Sequence, residues 1–463
     1  MIRMSINRLE HTVIKNDHLF QAWKREESLA ELESFLQFNW EQRSIFYEDR
    51  NPNTKQQFIK FLSHGDIKTH NYVGTITFNG EKLNIFPKVF RPLSVQCSDE
   101  NLSLKHLMDN IVQWLEYCNR ISYPFINIFG ELSDSKDFLD LFITLYINMV
   151  LDAIDRGIYY QYEEETEDCK CIKGKFDVKD YFISKIPGGE YDRFSCTYSN
   201  FQADNMVNRI IKYTCMLLLN AASDKNSLKI RKIINKLDEV TFVRCVPQDC
   251  DNIRLSKMHR KYYSILNLSK MFLSNKTSTF DMDINDTYCF LFPMEQLFEG
   301  FVGGYLSEVL SDHDAKVELQ KSDLNLIDDV IYKGQNLGPS NNMKQDIVVT
   351  TKNKMFVLDT KYKEITRFED HDVKSIIRNE ISQSDLYQMC EYARKRGVND
   401  VYLLYPMNRY EDPENDFPCG ISKSPTGNIF IHFIRIPFIF EENDFEELKK
   451  KLKRTILKIF DVN

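Results

Sequence analysis

The sequence lacks the short motifs that would assign a chemistry directly. Its 11 cysteines form no Cys-x-x-Cys pair, and the closest approach, Cys169-Lys-Cys171, has the spacing of neither a zinc knuckle nor a redox motif. No G-x-x-x-x-G-K-S/T phosphate-binding loop is present, because Lys173-Gly-Lys-Phe176 has the lysine without the required glycine spacing. These absences predict reduced thiols and exclude a P-loop nucleotide motor in this chain.

Long apolar runs are also missing. The most apolar stretch, residues 139–154, carries Asp140 and Asp152 near its ends, so its uncharged part falls well short of the roughly twenty residues that a membrane span needs. The opening residues, MIRMSINRLEHTVIKNDH, place charges where the apolar region of an export signal would lie. We therefore expect a buried core helix at 139–154, no membrane association and a cytoplasmic protein.

The composition has no excess of basic residues. Lys and Arg total 60 against 68 Asp and Glu, a formal net charge of −8, whereas a protein whose whole surface wraps nucleic acid is normally basic. With 43% hydrophobic residues over 463 positions, the chain is expected to fold into several domains. Any contact with nucleic acid is therefore expected at a local patch, or with the help of a metal ion or a partner.

Three regions differ in the spacing of their apolar residues, which predicts an α+β multidomain protein. Residues 1–95 include Asn79-Gly80, a type I′ turn signal between two alternating runs, and are predicted to form a β-rich N-terminal domain. Residues 96–285 have mainly helical spacing, interrupted at about 158–200 by an acidic, turn-rich excursion of extended chain. Residues 286–463 mix helices and strands, which predicts a mixed α/β sheet with helices against it.

The last region carries the predicted elements that matter for chemistry. They are a helix from Phe292 to about Leu310, a strand at 317–320, a loop at 334–342, strands at 345–349 and 355–361, a helix from about Ser382 to Arg396, and a strand at 401–405.

Two acids and a lysine fall at the ends of neighbouring predicted strands. Asp359 and Lys361 are two apart and project from the same face, and a hairpin can bring Asp346 beside Asp359. Two carboxylates with open positions suit Mg²⁺, which keeps several waters and can take a phosphate oxygen. Such an ion can polarise a phosphodiester and activate water, while the lysine orients that water or offsets negative charge.

Alone, this pattern is weak, because a solvated strand end with an ion pair gives the same spacing. Its context strengthens the metal interpretation. The preceding helix carries Glu295 and Glu299, either of which could supply a further ligand. The following helix carries Gln388 and Tyr392, four apart on one face, where an amide and a phenol could hold substrate.

These residues, taken in their order along the chain, resemble a known family. The helix glutamate, Asp346, Asp359-Thr-Lys361 and Gln388-x-x-x-Tyr392 look like the PD-(D/E)xK nuclease core in its RecB-like variant. Further segments, in the same order, are similar to the McrC family of McrBC modification-dependent restriction systems: residues 72–88, 173–176, 193–198, 208–212 and 384–388. The resemblance covers roughly residues 70–410. It departs from the usual motif at Gln345, where a proline commonly precedes the first acid.

The resemblance implies an α/β endonuclease domain at 286–463 and a set of residue roles. Asp346, Asp359, Lys361 and Glu299 would be catalytic; Asp346, Asp359, Thr360 and Glu299 would hold Mg²⁺; Gln388 and Tyr392 would bind substrate. It also implies a partner, a McrB-like AAA+ GTPase hexamer that binds GTP and moves along double-stranded DNA containing modified cytosine such as 5-methylcytosine. The hairpin at 72–88 and the excursion at 158–200 are the candidate contacts with that partner.

Two other functions stay open at the level of sequence. One is a self-sufficient RecB-like nuclease whose N-terminal half reads DNA directly. The other is a non-catalytic activator of the AAA+ partner that retains only the nuclease fold, although intact acids and lysine argue against it. Cleavage by the isolated chain with Mg²⁺ alone would favour the first alternative.

Overall fold

A computed structural model describes most of the chain. The described residues are 5–24, 26–41, 54–90, 100–118, 129–133, 135, 137–256, 259, 261–274, 288–352, 354–365, 373–407, 420–423, 429–440 and 445–460.

The strands lie mainly in the first and last parts of the chain. In chain order they are β1 Ser5–Leu9, β2 Val13–Ile14, β3 Ile59–Phe61, β4 Ile67–Thr69, β5 Tyr72–Phe78, β6 Glu81–Phe86, β7 Gln161–Cys169, β8 Lys175–Phe176, β9 Phe194–Gln202, β10 Tyr288–Pro293, β11 Ala315–Ile327, β12 Ile331–Tyr332, β13 Gln335–Asn336, β14 Ser340–Thr351, β15 Met355–Thr360, β16 Asp400–Met407, β17 Gly420–Lys423 and β18 Phe430–Pro437.

The helices fill the middle of the chain and flank the last strands. They are α1 Glu26–Glu41, α2 Glu100–Tyr117, α3 Phe129–Ser133, α4 Phe138–Asp155, α5 Met206–Leu218, α6 Asp224–Lys236, α7 Pro247–Asp251, α8 Lys261–Ser274, α9 Met294–Leu310, α10 Val373–Asn379, α11 Gln383–Arg396 and α12 Phe445–Ile459. Helical turns also occur at Val178–Asp180 and Tyr181–Lys185. As the apolar run at 139–154 predicts, α4 is largely buried, and no described helix is long and apolar enough to cross a membrane.

The chain forms two compact units. One comprises the described residues within 1–41, 54–141 and 289–460, and the other comprises the described residues within 142–288. This grouping differs from the predicted division at residues 95 and 285. The reason is a long-range pairing, because β10 joins β5 in the four-stranded sheet β1-β6-β5-β10 and so ties the N-terminal strands to the C-terminal region.

Within the first unit, the predicted N-terminal hairpin is present. Strands β5 and β6 pair antiparallel up to Phe78 and Glu81, and the two residues between them have positive φ, 52° at Asn79 and 77° at Gly80. Positive φ at both central positions is the requirement of a type I′ turn. All seven residues of β5 are buried, so both faces of this strand are covered, although its alternating sequence is typical of a strand with one buried face.

A six-stranded sheet in the same unit has the order β11-β14-β15-β16-β18-β17. Strands β11, β14 and β15 pair antiparallel, and β15, β16 and β18 pair parallel. One face packs on α10 and α11 through an apolar cluster that includes Val357, Ile376, Met389, Ala393 and Leu403. The other face packs on α9 and α12 through Phe301, Leu306, Leu404, Leu452 and Ile456. The sheet is therefore a layer between helices, as predicted.

Several predicted boundaries need correction. The helix begins at Met294 rather than Phe292, because Phe292 and Pro293 complete β10. The predicted strand 317–320 lies in the first half of the longer β11. The predicted loop 334–342 contains β13 and the start of β14, since Lys333 and Gly334, with φ of 49° and 80°, form a two-residue turn between β12 and β13.

The second unit has a helical core and a three-stranded antiparallel sheet, β7-β9-β8. Its helices α5, α7 and α8 contribute to an apolar cluster that includes Ile210, Tyr213, Cys250, Leu266 and Leu273. The sheet lies in the predicted excursion at 158–200. Its surroundings expose large apolar side chains, among them Tyr162, Phe182, Ile183, Tyr191 and Phe201.

Candidate active site

The strand register brings the two predicted acids together. Strand β14 pairs antiparallel with β15, and the last pair of the ladder is Ile347 with Leu358. Asp346 and Asp359 occupy the next position on each strand. The Asp346 carboxylate is fixed by Thr360, whose backbone N–H and side-chain hydroxyl donate to Oδ2 at 2.8 and 2.9 Å. The short hairpin between the strands thus places both carboxylates at one end of β15.

Lys361 faces the same place. Its Nζ lies 2.6 Å from Oδ2 of Asp359, and its backbone N–H donates to the Leu404 carbonyl of β16 at 2.8 Å. The Nζ also donates to Oε1 of Gln388 at 3.4 Å. The lysine is therefore held by the neighbouring parallel strand while its ammonium reaches the acid pair and α11.

Helix α11 supports the strand that carries Asp346. Gln388 Nε2 donates to the Tyr392 hydroxyl at 2.7 Å, and that hydroxyl donates to the Lys344 carbonyl at 2.5 Å. One turn further on, Arg396 Nε donates to Oε1 of the buried Gln345 at 2.7 Å. Residues 388, 392 and 396 share one face of the helix. Two of them hold the residues just before Asp346.

Asp385 also lies at the site, although no role was predicted for it. Its Oδ1 lies 3.9 Å from Lys361 Nζ, and its Oδ2 accepts a hydrogen bond from Lys363 Nζ at 3.0 Å. The residue is buried and lies in the first turn of α11. Helical spacing could have predicted this placement, because Asp385 is three residues before Gln388 and so lies on the same side of the helix. No role was predicted for Gln345 or Arg396 either. Arg396 lies four residues after Tyr392 on the same helical face, but its contact with Gln345 joins two separate elements.

The two glutamates of α9 are the candidates for a further metal ligand. Oε1 of Glu295 accepts a hydrogen bond from Asn71 Nδ2 at 2.8 Å, which directs it toward the four-stranded sheet. Glu299 is half-buried on α9. Within the described ranges, no three His, Cys, Asp or Glu side chains form a group that could hold a metal ion. Participation of either glutamate remains a prediction.

Burial and mutual repulsion shift the proton affinities of the acids. Burial, and then the charge of Asp346, raise the pKa of Asp359 from 3.8 to about 7, against the opposing attraction of Lys361. Burial also raises the pKa of Asp346, although hydrogen bonds from Thr360 oppose this. For Lys361, burial lowers the pKa, but the acids, Asp359 foremost, outweigh it and leave the value above normal. The acid pair therefore carries an electrostatic cost that one lysine does not remove.

These features fit a divalent cation with oxygen ligands. Two adjacent carboxylates repel one another, and a cation between them relieves that repulsion. Mg²⁺ is commonly held in proteins by one or two carboxylates, with waters and phosphate oxygens completing its shell. The adjacent carboxylates of Asp346 and Asp359 match this pattern, and Thr360 as a further ligand stays a prediction. The ammonium of Lys361 beside the acids supplies a positive group for an anionic substrate.

A comparison with protein families decides the relationship. The family described as the McrBC 5-methylcytosine restriction system component matches residues 67–406. The chain belongs to the McrBC family. This result confirms the resemblance found from the order of the sequence motifs. No curated protein matches the chain.

Solved structures of McrBC complexes share the fold. A half-complex from a tetradecameric assembly of Thermococcus gammatolerans McrB AAA+ hexamers with bound McrC matches with a TM-score of 0.67 and 16% identity, covering 98% of this chain and 100% of that chain. A cryo-EM structure of the Thermococcus gammatolerans McrBC complex matches with a TM-score of 0.50 and 18% identity, covering 66% of this chain and 88% of that one. At such identities the likeness establishes the mixed α/β fold.

Proposed function

We propose that this McrBC-family chain is the Mg²⁺-dependent endonuclease subunit of a restriction complex, with a PD-(D/E)xK core in its C-terminal region. It would cut DNA containing modified cytosine when assembled with a McrB-type AAA+ GTPase, whose GTP hydrolysis it stimulates. The observation that carries the proposal is the convergence of Asp346, Asp359 and Lys361 at one end of β15. The family description, a component of a 5-methylcytosine restriction system, supports the substrate.

The residues of the site divide the work. Asp346, Asp359 and the Thr360 carbonyl would hold the ion, with Glu299 as the expected further ligand. When bound, Mg²⁺ polarises the scissile phosphodiester and lowers the pKa of a coordinated water. Lys361 would orient the attacking water and offset negative charge that develops on the phosphate, since its ammonium is fixed beside Asp359.

Gln388 and Tyr392 would contact substrate and support the site. The Gln388 side chain bridges the Lys361 ammonium and the Tyr392 hydroxyl, so a phosphate placed at Lys361 would lie within reach of this amide. The Tyr392 hydroxyl donates its proton to the Lys344 carbonyl and accepts from Gln388, so it orients this amide. The second amide hydrogen of Gln388 could then donate to a bound phosphate oxygen, while its carbonyl oxygen holds Lys361.

The AAA+ partner would hold most of the DNA. A net charge of −8 is unsuited to wrapping a duplex over a wide surface. The chain needs only a local site for one phosphodiester if a translocating partner supplies the remaining contacts. The solved relatives contain McrC bound to McrB AAA+ hexamers, which supports a partner of this kind.

Of the two predicted partner contacts, the excursion at 158–200 has the stronger support. The hairpin at 72–88 offers little free surface, because all of β5 and most of β6 are buried. The excursion instead exposes aromatic and aliphatic side chains such as Tyr162, Phe182 and Tyr191. Exposed apolar patches of this kind are typical of protein interfaces.

The test separates cleavage from partner activation. Asp359→Ala and Lys361→Ala should abolish cleavage of a cytosine-methylated duplex by the assembled complex with Mg²⁺ and GTP, while stimulation of the partner's GTP hydrolysis is retained. Lys316→Ala, an exposed lysine on β11 in the same unit, serves as the matched control and should leave both activities unchanged. Retained cutting by both site variants would overturn the proposal, and cutting by the isolated chain without GTP would indicate a self-sufficient nuclease.

A further inference from the structure

A buried carboxylate near the N-terminus lies against the segment that carries Lys361. Glu10 follows β1 and is fully buried. Its Oε2 accepts hydrogen bonds from the Lys88 backbone N–H at 3.0 Å and from the Tyr362 hydroxyl at 3.1 Å. Tyr362 comes directly after Lys361 in the chain. Two segments that lie 352 residues apart in the chain therefore meet, within one compact unit, next to a residue of the site.

Tyr362 is fixed at three points. Its hydroxyl is bound to Glu10, its carbonyl accepts a hydrogen bond from Lys88 Nζ at 3.0 Å, and the same ammonium lies 4.4 Å from the centre of its ring. The ring also packs against Phe298 and Phe438, with centroids 6.2 Å away in each case. Hydroxyl, ring and backbone of the residue after Lys361 are all restrained.

The four-stranded sheet places Glu10 and Lys88 side by side. Strands β1 and β6 run parallel with Leu9 opposite Phe86, and the Glu10 backbone N–H continues the ladder by donating to the Phe86 carbonyl at 2.9 Å. Glu10 and Lys88 each come just after the end of their strand. Parallel strands that end together present these two side chains at the same edge, where Tyr362 lies.

The stability of the fold does not account for a carboxyl group at position 10. Burial raises the pKa of Glu10 to about 7, and the charge of Glu295 on α9 adds to this, although the backbone and ammonium of Lys88 and the Tyr362 hydroxyl oppose it. In the part of the chain that the structure describes, Oε1 of Glu10 has no hydrogen-bond partner. An apolar side chain of similar size is usually as stable as a buried charge in such a place.

We propose that Glu10 is a positioning residue for Lys361. Together with Lys88 it holds Tyr362, and Tyr362 in turn fixes the backbone from which the Lys361 ammonium reaches Asp359. The other side of this backbone is held by β16 through the Leu404 carbonyl. The N-terminal sheet thereby contributes to a site that it does not line. The proposal rests on the nuclease function proposed above.

Removal of single hydrogen bonds tests the proposal in the assembled complex. Tyr362→Phe deletes only the hydroxyl, and it should lower the single-turnover cleavage rate of methylated duplex about tenfold at saturating complex, as loss of a supporting partner typically does. Glu10→Met should give the same loss, and the double variant should lose no more. Glu10→Gln should retain most of the rate, because its amide oxygen can accept both hydrogen bonds. Stimulation of GTP hydrolysis should be unchanged throughout.

The control is the same substitution at another buried tyrosine of the unit. Tyr305 is 4% exposed and Tyr362 is 3% exposed, and the Tyr305 hydroxyl donates to the Lys449 carbonyl at 2.7 Å. Tyr305→Phe should lower the melting temperature like Tyr362→Phe but leave cleavage unchanged.

Three results would overturn the inference: wild-type cleavage by Tyr362→Phe, losses that multiply in the double variant, or a Glu10→Gln rate as low as that of Glu10→Met. If Glu10→Met does not fold, Tyr362→Phe and Glu10→Gln still decide. A wild-type complex that does not cut would instead refute the proposed function.

Discussion

Replacement of Asp359 by asparagine should stabilise the metal-free protein at neutral and alkaline pH. The side chain is 1% exposed and lies beside a second aspartate, Asp346, whose charge repels it. The ionised form of Asp359 is therefore destabilised by burial and by repulsion from Asp346. Asparagine has the same shape without the charge. The variant should resemble the protonated form of the wild type.

The expected size follows from the pKa. A rise from 3.8 to about 7 corresponds to about 4 kcal/mol, and this figure already includes the attraction of Lys361. Because the folded form binds its proton more tightly than the unfolded chain, stability is fully present below the unfolded pKa and falls as pH rises through the folded value near 7. The variant lacks this loss. Its free energy of unfolding relative to wild type should therefore increase by about 4 kcal/mol between pH 4 and pH 8.

Tryptophan fluorescence is the suitable measurement. The three tryptophans, Trp23, Trp40 and Trp114, all belong to the unit that contains Asp359, so their signal in urea reports that unit. The isolated chain would be unfolded in EDTA at a series of pH values. Asp314→Asn is the control, because the Lys352 ion pair holds the pKa of this exposed carboxyl below normal and any pH effect has the opposite sign. A difference that stays flat from pH 4 to pH 8 would refute the reasoning.

Two further predictions concern the support of the site and the packing of its unit. Arg396→Met removes the hydrogen bond to Gln345 and should lower single-turnover cleavage about tenfold with GTP hydrolysis unchanged, so equal cleavage rates would contradict the role given to this contact. Gly304→Ala would place a Cβ 1.8 Å from a backbone carbonyl oxygen of α2 and should lower the free energy of unfolding by about 3 kcal/mol, measured in urea. Gly130→Ala, where the added Cβ meets open space, should change it little.

The local part of the fold and of the site could be predicted from sequence. The hairpin at Asn79-Gly80 follows from turn chemistry and from alternation along the chain. Asp346 and Asp359 meet because they lie on two strands joined by a short turn, so their proximity is a consequence of nearby sequence. Gln388 and Tyr392 share a face because helical spacing requires it. In each case the two residues are close in sequence, so one local pattern predicts their contact.

Contacts between distant parts of the chain could not be predicted. The pairing of β10 with β5 brings residues near 290 to residues near 75, and no periodicity reports such a partner. The same holds for Glu10 and Tyr362, and for Arg396 and Gln345, since each contact depends on how separate elements pack. The full length of β11 was hidden for another reason, because its residues are half-exposed or exposed and lack an apolar alternation.

One helix links both strands of the acid pair. On one face of α11, Asp385 and Gln388 contact the lysines that follow β15, Lys361 and Lys363. On the same face, Tyr392 and Arg396 bind the Lys344 carbonyl and the Gln345 side chain, just before Asp346. The helix itself is held in place by Met389 and Ala393, which are buried in a cluster with Val357 and Leu403 of the sheet. A displacement of α11 would therefore disturb Lys361 and the strand of Asp346 at the same time. Cleavage should respond to the packing of this helix as well as to loss of an acid.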